Sequence, residues 1–167
     1  MSDIHFILTG GTIEKAYDPL TEKPELTDKS IIPKYLQNMI KPYVGLSFDI
    51  VSHLDSREIT DDIRADIVQA VNRSPSQHVV IVHGTSTMEL TAQYLAEHLA
   101  DTDKTIVLTG AMIPLKEFAM SDGGFNLGFA TASVQTAPAG IYLAMNAELF
   151  CPKKVTKNTE NGRFEES

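Results

Sequence analysis

Four consecutive apolar residues, Val79 to Val82, run directly into His83-Gly84 and then into three hydroxyl residues, Thr85, Ser86 and Thr87. A short apolar run without interruption is typical of a parallel strand covered by helices on both faces. The pattern recurs: LTGGT (8–12) and LTGAM (108–112) also place small and hydroxyl residues straight after an apolar strand. Open α/β sheets bind their ligands at the carboxyl ends of their strands. The three repeats therefore predict both a sheet type and the end of it that matters.

The remaining segments alternate accordingly. Strands are predicted over 4–8, 46–52, 78–84, 104–109 and 140–146. Helices are predicted over 30–40, where Ile32, Leu36, Met39 and Ile40 share one face, from Thr60 as N-cap through Val71, over 88–99, and over about 123–136. Asp61 and Asp62 suit the positive end of a helix dipole. KAYDPLTEKPELT (15–27) has two prolines and no periodicity, and reads as a loop or lid beside the site. The polar stretch 151–167 reads as a weakly held end, with 157–167 a loosely ordered tail. The expected fold is one domain over 1–167, a three-layer α/β/α sandwich with a mostly parallel, Rossmann/flavodoxin-like sheet of about five strands.

Composition narrows the function. With 167 residues, 43% hydrophobic and 22% charged, the chain has a globular profile and room for one substantial core. A net charge of -8 without a basic cluster argues against nucleic acid as a partner. No apolar run approaches membrane-spanning length, and the N-terminus lacks the features of a signal peptide, so no membrane partner and a cytoplasmic location are expected. A single cysteine, Cys151, precludes an internal disulfide or a cysteine-based metal site.

LTGGTIE (8–14) is the most suggestive turn. Gly10 and Gly11 permit close approaches denied to residues with a Cβ, and they place Thr12 just past a strand end. It lacks the third glycine of a dinucleotide loop, and nothing matches a P-loop. No spacing of His and carboxylate suggests a metal. His83 reads as a core histidine ahead of a catalytic one. Hydroxyl chemistry remains, with Thr12 and Thr85 after two strands and Lys157 in VTKNT. A threonine hydroxyl needs a base to become a nucleophile, and a buried lysine can serve as one.

Together TGGTI (9–13), HGTSTME (83–89), LTGAMIP (108–114), SDGGFNL (121–127) and VTKNT (155–159) resemble the L-asparaginase family, in its order and spacing and over nearly the whole chain. The resemblance is to the family's N-terminal domain, and an end at GRFEES fits its short members. It implies hydrolysis of the side-chain amide of asparagine, sometimes glutamine, through a covalent acyl-enzyme and with no cofactor. It matches Thr12 to the nucleophile, Tyr17 to the tyrosine that orients it, Ser56 to the serine holding the substrate α-carboxylate, and Thr85 with Lys157 to the proton relay. It also suggests the N–H groups of Gly11 and Ser86 for the oxyanion hole, whose donors are worth about 3–4 kcal/mol each.

The sequence departs from the pattern at Ser86, where the family has an aspartate for the substrate ammonium. Ser86-Thr87-Met88-Glu89 also fits a helix capping box. Glu14, two residues past Thr12, would supply the missing charge if that segment were extended. Arg57 follows Ser56 where many relatives are neutral. Three functions follow: an asparaginase, a related amidohydrolase preferring glutamine or an N-substituted asparagine, and a catalytically weak aspartate- or asparagine-binding module. The expected partners are a small amino-acid amide and further copies of the chain in a homo-oligomer, because an exposed pocket and sheet edge need cover.

Overall fold

The computed structural model describes residues 3–116 and 119–167. In chain order the elements are β1 (Ile4–Gly10), β2 (Lys15–Asp18), β3 (Lys23–Leu26), α1 (Ile32–Lys34), β4 (Leu46–Leu54), α2 (Asp61–Arg73), β5 (His78–Val82), α3 (Met88–His98), β6 (Thr105–Thr109), α4 (Gly123–Thr136), β7 (Gly140–Met145), β8 (Glu148–Phe150), β9 (Val155–Asn158) and β10 (Arg163–Glu166). A six-stranded sheet runs in the order β4-β1-β5-β6-β7-β8, parallel except for β8. This is the three-layer α/β/α architecture expected, with one strand more.

Every central strand alternates between two cores. Ile7, Val79 and Ile81 face α2 and α3 together with Ile67, Val71, Ala92 and Leu95, all fully buried. Phe6, Leu8, Val80 and Val82 face the other way, against Ile32, Ala130 and Val134. Each buried Val, Leu, Ile or Phe among them contributes roughly 1.5–3 kcal/mol, which favours the unbroken apolar run Val79 to Val82. The helix faces also fix the crossovers. α2 and α3 lie on one face and α4 on the other, yet β5, β6 and β7 advance in one direction across the sheet. The α4 connection thus has the opposite hand to those of α2 and α3, a departure from the right-handed form that such units nearly always take.

Several segments differ from their sequence-based reading. The 15–27 stretch is an antiparallel hairpin, β2 paired with β3 and Tyr17 opposite Pro24. Its mostly exposed strands carry no apolar alternation that could reveal them. The 30–40 helix is α-helical only at Ile32–Lys34 and continues as π-helical turns over Tyr35–Ile40. There Lys41 N–H reaches back to Leu36 O at 2.8 Å, and the wider turn leaves Met39 and Ile40 exposed rather than on the inner face. The sixth strand, β8, follows a tight turn in which Asn146 and Ala147 both adopt positive φ, 57° and 62°. Such a turn ordinarily announces itself by a glycine, and Ala147 conceals it.

The polar end is ordered too. β9 and β10 form a hairpin in which Lys157 pairs with Phe164. Phe164 is buried against the α3 core, and its N–H donates to Asn146 Oδ1 at 3.0 Å. One buried aromatic in a polar stretch gives no periodic signal, but it anchors the strand carrying Lys157.

In sequence β1 is followed across the parallel sheet by β4 on one side and β5 on the other, so the loops leaving β1 and β5 diverge. This is the topological switch point, where doubly wound sheets hold their ligands. The turns bearing Thr12 and Thr85 both start there.

Candidate active site

Three strand ends meet at the switch point in contacts that only glycine allows. Gly10 and Gly11 sit at φ 101° and 84°, and a Cβ on Gly11 would overlap Gly84. A Cβ on Gly84 would in turn come within 2.7 Å of Ser56 Oγ. The turns after β1, β4 and β5 are therefore in backbone contact. They bring together Gly11, Ser56, Thr85 and Ser86, with Thr12 the next residue along. Thr12 opens a single 3-10 turn, Thr12–Glu14, and its half-buried hydroxyl has no hydrogen-bond partner among the described residues.

Lys157 joins this group from β9. Its Nζ lies 2.8 Å from Thr85 Oγ1, across 72 residues of sequence, while its backbone N–H donates to Glu89 Oε2 at 3.1 Å. Burial lowers the Lys157 pKa from the ordinary lysine value, and the Arg57 charge lowers it further, against the pull of Glu89 and Asp55. The ammonium is thus easier to deprotonate than an exposed one. A neutral Lys157 could accept the Thr85 hydroxyl proton, leaving Thr85 able to accept another.

Glu89 is a residue that sequence reasoning placed in a capping box with Ser86. The structure shows instead Thr87 at the N-cap with no side-chain bond to the helix N–H groups, and Glu89 turned to the Lys157 backbone. Ser86 N–H donates to Ser56 Oγ at 3.2 Å, and Thr87 Oγ1 donates to Ser56 O at 2.6 Å. These two bonds hold the turn of β5 to that of β4. The Ser86 side chain is exposed and free of such bonds. Gly11 N–H is likewise committed, to Leu54 O at 2.9 Å, so of the two donors named for an oxyanion hole neither is idle.

His83 supports the β5 turn from beneath. It is fully buried, with Nδ1 2.7 Å from Gly84 O and Nε2 2.9 Å from Thr91 Oγ1, which accepts from Arg64 Nε at 3.1 Å. The carbonyl requires Nδ1–H, and in the neutral ring Nε2 then accepts from Thr91. Burial lowers its pKa to about 4, as the structural reading of His83 requires. A histidine held below its unfolded value near 6.5 lowers stability as pH falls, beginning near 6.5 and complete by about 4. We expect a loss on the order of 3 kcal/mol across that window by urea unfolding, and no such His83 contribution in His83→Gln.

The other predicted residues stand apart from this cluster. Arg57 is exposed and its guanidinium is clasped by Asp55, through Nε at 2.9 Å and Nη2 at 3.0 Å. Asp55, held well below the usual carboxylate range chiefly by Arg57, also accepts from Lys15 Nζ at 3.2 Å. It caps the 3-10 turn Ser56–Glu58 in a box with Glu58, a D-x-x-E pattern that the sequence displayed at 55–58. Tyr17 is half exposed on β2, and its hydroxyl bonds to no described residue. Glu14 is fully buried in the 3-10 turn, its carboxylate facing Ser30 and His53. The turn is not extended, so Glu14 does not offer its charge at the strand ends. Among the described residues, no group of three or more His, Cys, Asp or Glu side chains could hold a metal.

With this geometry in view, the chain matches the family described as Asparaginase, N-terminal, over residues 3–164. It belongs to the asparaginase family. It is 39% identical over 167 residues to the glutaminase-asparaginase of Acinetobacter glutaminasificans, covering 93% of this chain and 50% of that protein. L-asparaginase 2 of Escherichia coli K12 is 28% identical over 94% of this chain and 47% of its own length. The crystal structure of L-asparaginase I from Vibrio cholerae superposes with a TM-score of 0.82 at 25% identity, over 99% of this chain and 51% of that one. The chain thus spans about half the length of the relatives it matches.

Proposed function

We propose that this chain hydrolyses the side-chain amide of an amino-acid amide of the asparagine class, releasing ammonia and the free acid. The observation that carries this reading is the 2.8 Å contact of Lys157 Nζ with Thr85 Oγ1, in a loop whose Gly84 packs against Gly11 beside Thr12. In the proposed reaction Thr12 Oγ adds to the amide carbon. Its proton passes through Thr85 to a neutral Lys157 and on to the departing ammonia. Water then adds to the Thr12 ester, with the same pair taking its proton, and the ester bond breaks to regenerate the hydroxyl. Ser56 and the Ser86 turn form the proposed amino-acid end of the pocket, and Tyr17 would approach from the hairpin. The reading requires no cofactor.

The substrate is the finer question, and Ser86 favours a second answer. An exposed hydroxyl gives an ammonium no charged partner, and a hydrogen bond to a charged group is worth roughly 1.5–3 kcal/mol. An N-substituted asparagine, which has no free α-ammonium, would suffer less from that absence than free asparagine or glutamine. Ammonia release from asparagine, glutamine and N-blocked asparagine should be compared in the parent and in Ser86→Asp. We expect kcat/KM for free asparagine to rise about tenfold to a hundredfold, with N-blocked asparagine unimproved. A parallel rise for all three would sink the ammonium argument. Calorimetric binding of aspartate without ammonia release from any amide would mark a binding module instead. Light scattering alongside tests the proposed homo-oligomer.

A further inference from the structure

Glu14 is fully buried, carries a carboxylate, and is given no task by the proposed reaction. It directly precedes β2, and Thr27 directly follows β3, so the two flank the neck of the hairpin. They are bonded to each other: Thr27 N–H donates to Glu14 O at 3.2 Å, and Thr27 Oγ1 lies 3.1 Å from the same carbonyl. His53, at the end of β4, closes the ring. Its Nε2 is 2.6 Å from Thr27 O, and its Nδ1 is 3.2 Å from Glu14 Oε2. Ser30 Oγ donates to Glu14 Oε1 at 2.6 Å, while the buried Oε2 has no hydrogen-bond partner among the described residues and only the His53 ring beside it.

A carbonyl only accepts, so His53 Nε2 carries a proton. Nδ1 faces the carboxyl of Glu14, whose pKa burial raises. His53 is the one titratable group whose charge acts on Glu14 among the described residues. The charged groups nearby on the hairpin and on the 55–58 turn are otherwise engaged or apart: Lys15 bonds Asp55, Asp55 holds Arg57, and Glu25 and Glu58 line the cleft between the two segments.

We propose that Glu14 and His53 act together as positioning residues, clasping the neck of the β2–β3 hairpin to the end of β4. The clasp and the Lys15–Asp55 bond are tethers between the hairpin and the strand end that leads to Ser56. Between them lies an open cleft of about 520 Å³, lined by Lys15, Glu25 and Leu26 from the hairpin and by Asp55, Arg57 and Glu58 from the turn. The clasp thereby sets the width of that cleft and the approach of Tyr17 to the turn of Thr12. Its link to catalysis rests on the proposed function, whereas its existence does not.

Hydrogen exchange on the full chain tests the two separately. Glu14→Ala should speed exchange of the hairpin amides by about tenfold or more and leave β1 and β5 amides unchanged. Glu14→Gln should recover most of that protection, since an amide can accept from Ser30 and donate to an unprotonated Nδ1. Where an amidase activity is measurable, Glu14→Ala should lower kcat more than it raises KM. If Glu14→Ala does not fold, His53→Gln carries the same exchange prediction, because His53 reaches the surface. Unchanged hairpin exchange in the folded variants, or no rescue by Glu14→Gln, would overturn the clasp. Altered exchange without ammonia release from any protein would retain it and count against the proposed function alone.

Discussion

Thr12→Ala is expected to lower ammonia release by at least about four orders of magnitude while the protein folds as before. Loss of the proposed attacking hydroxyl would remove the proposed covalent route altogether, and nucleophile deletions in other enzymes cost on that scale. The fold should be indifferent, because the hydroxyl is half buried and bonds to no described residue. Its unfolding free energy should stay within about 0.5 kcal/mol of the parent. Steady-state ammonia release and urea unfolding on the same preparations check both halves. Turnover at the parent rate would remove the central claim, and turnover lost together with stability would leave the role of the hydroxyl undecided in favour of folding.

Lys157→Met is expected to lower the rate by about a hundredfold to ten-thousandfold, the usual share of a positioned acid–base group. The more telling effect is on pH. In the proposed reaction the working form is the neutral amine, so the rate should rise with pH through the Lys157 pKa and be lost as pH falls below it. Burial places that midpoint below the ordinary lysine value. Methionine fills a similar volume without titrating, so the residual rate should lose this limb. A parent profile flat between pH 6 and 10 would contradict the base role, whatever the variant does. The stability of Lys157→Met should change little, since among the described residues Nζ bonds only Thr85, and Phe164 remains to anchor the strand.

The two residues illustrate different degrees of legibility. Thr12 was visible because its surroundings repeat locally: an apolar strand, then two glycines, then a hydroxyl. The glycines are needed for a reason that one strand alone does not reveal, since Gly11 must admit Gly84 and Gly10 must admit the β4 end. Lys157 had no local signal. It lies in a polar stretch that reads as a loose end, and the strand that presents it depends on one aromatic, Phe164, reaching the core. The motif match named it, and the tertiary structure supplied the 2.8 Å contact that gives the name chemical content.

Misreadings followed from the same limit. Glu89 satisfies the spacing of a capping box, but the backbone of β9 competes for its carboxylate and wins. Glu14 stood near enough in sequence to serve a substrate, but the 3-10 turn directs it into the protein, toward a histidine 39 positions along the chain (from 14 to 53). The π-helical turns after α1 rotate Met39 and Ile40 outward although their spacing is helical.

By itself the sequence determined the layers of this protein. Runs of apolar residues too continuous for a wet sheet, joined by helical periodicity, leave a covered parallel sheet as the arrangement that hides them. Glycine and hydroxyl residues at three strand ends also marked the active end of that sheet. What only tertiary structure decided was partnership among polar side chains. Burial acts on each residue's own surface and is written into local periodicity. A hydrogen bond or a shifted pKa depends on which distant groups the fold brings within 3 Å, and no local pattern encodes that distance. Hence His83 with Thr91 and Glu14 with His53 became legible only in the folded chain, and Thr85 with Lys157, paired beforehand by the family resemblance alone, gained its 2.8 Å contact there.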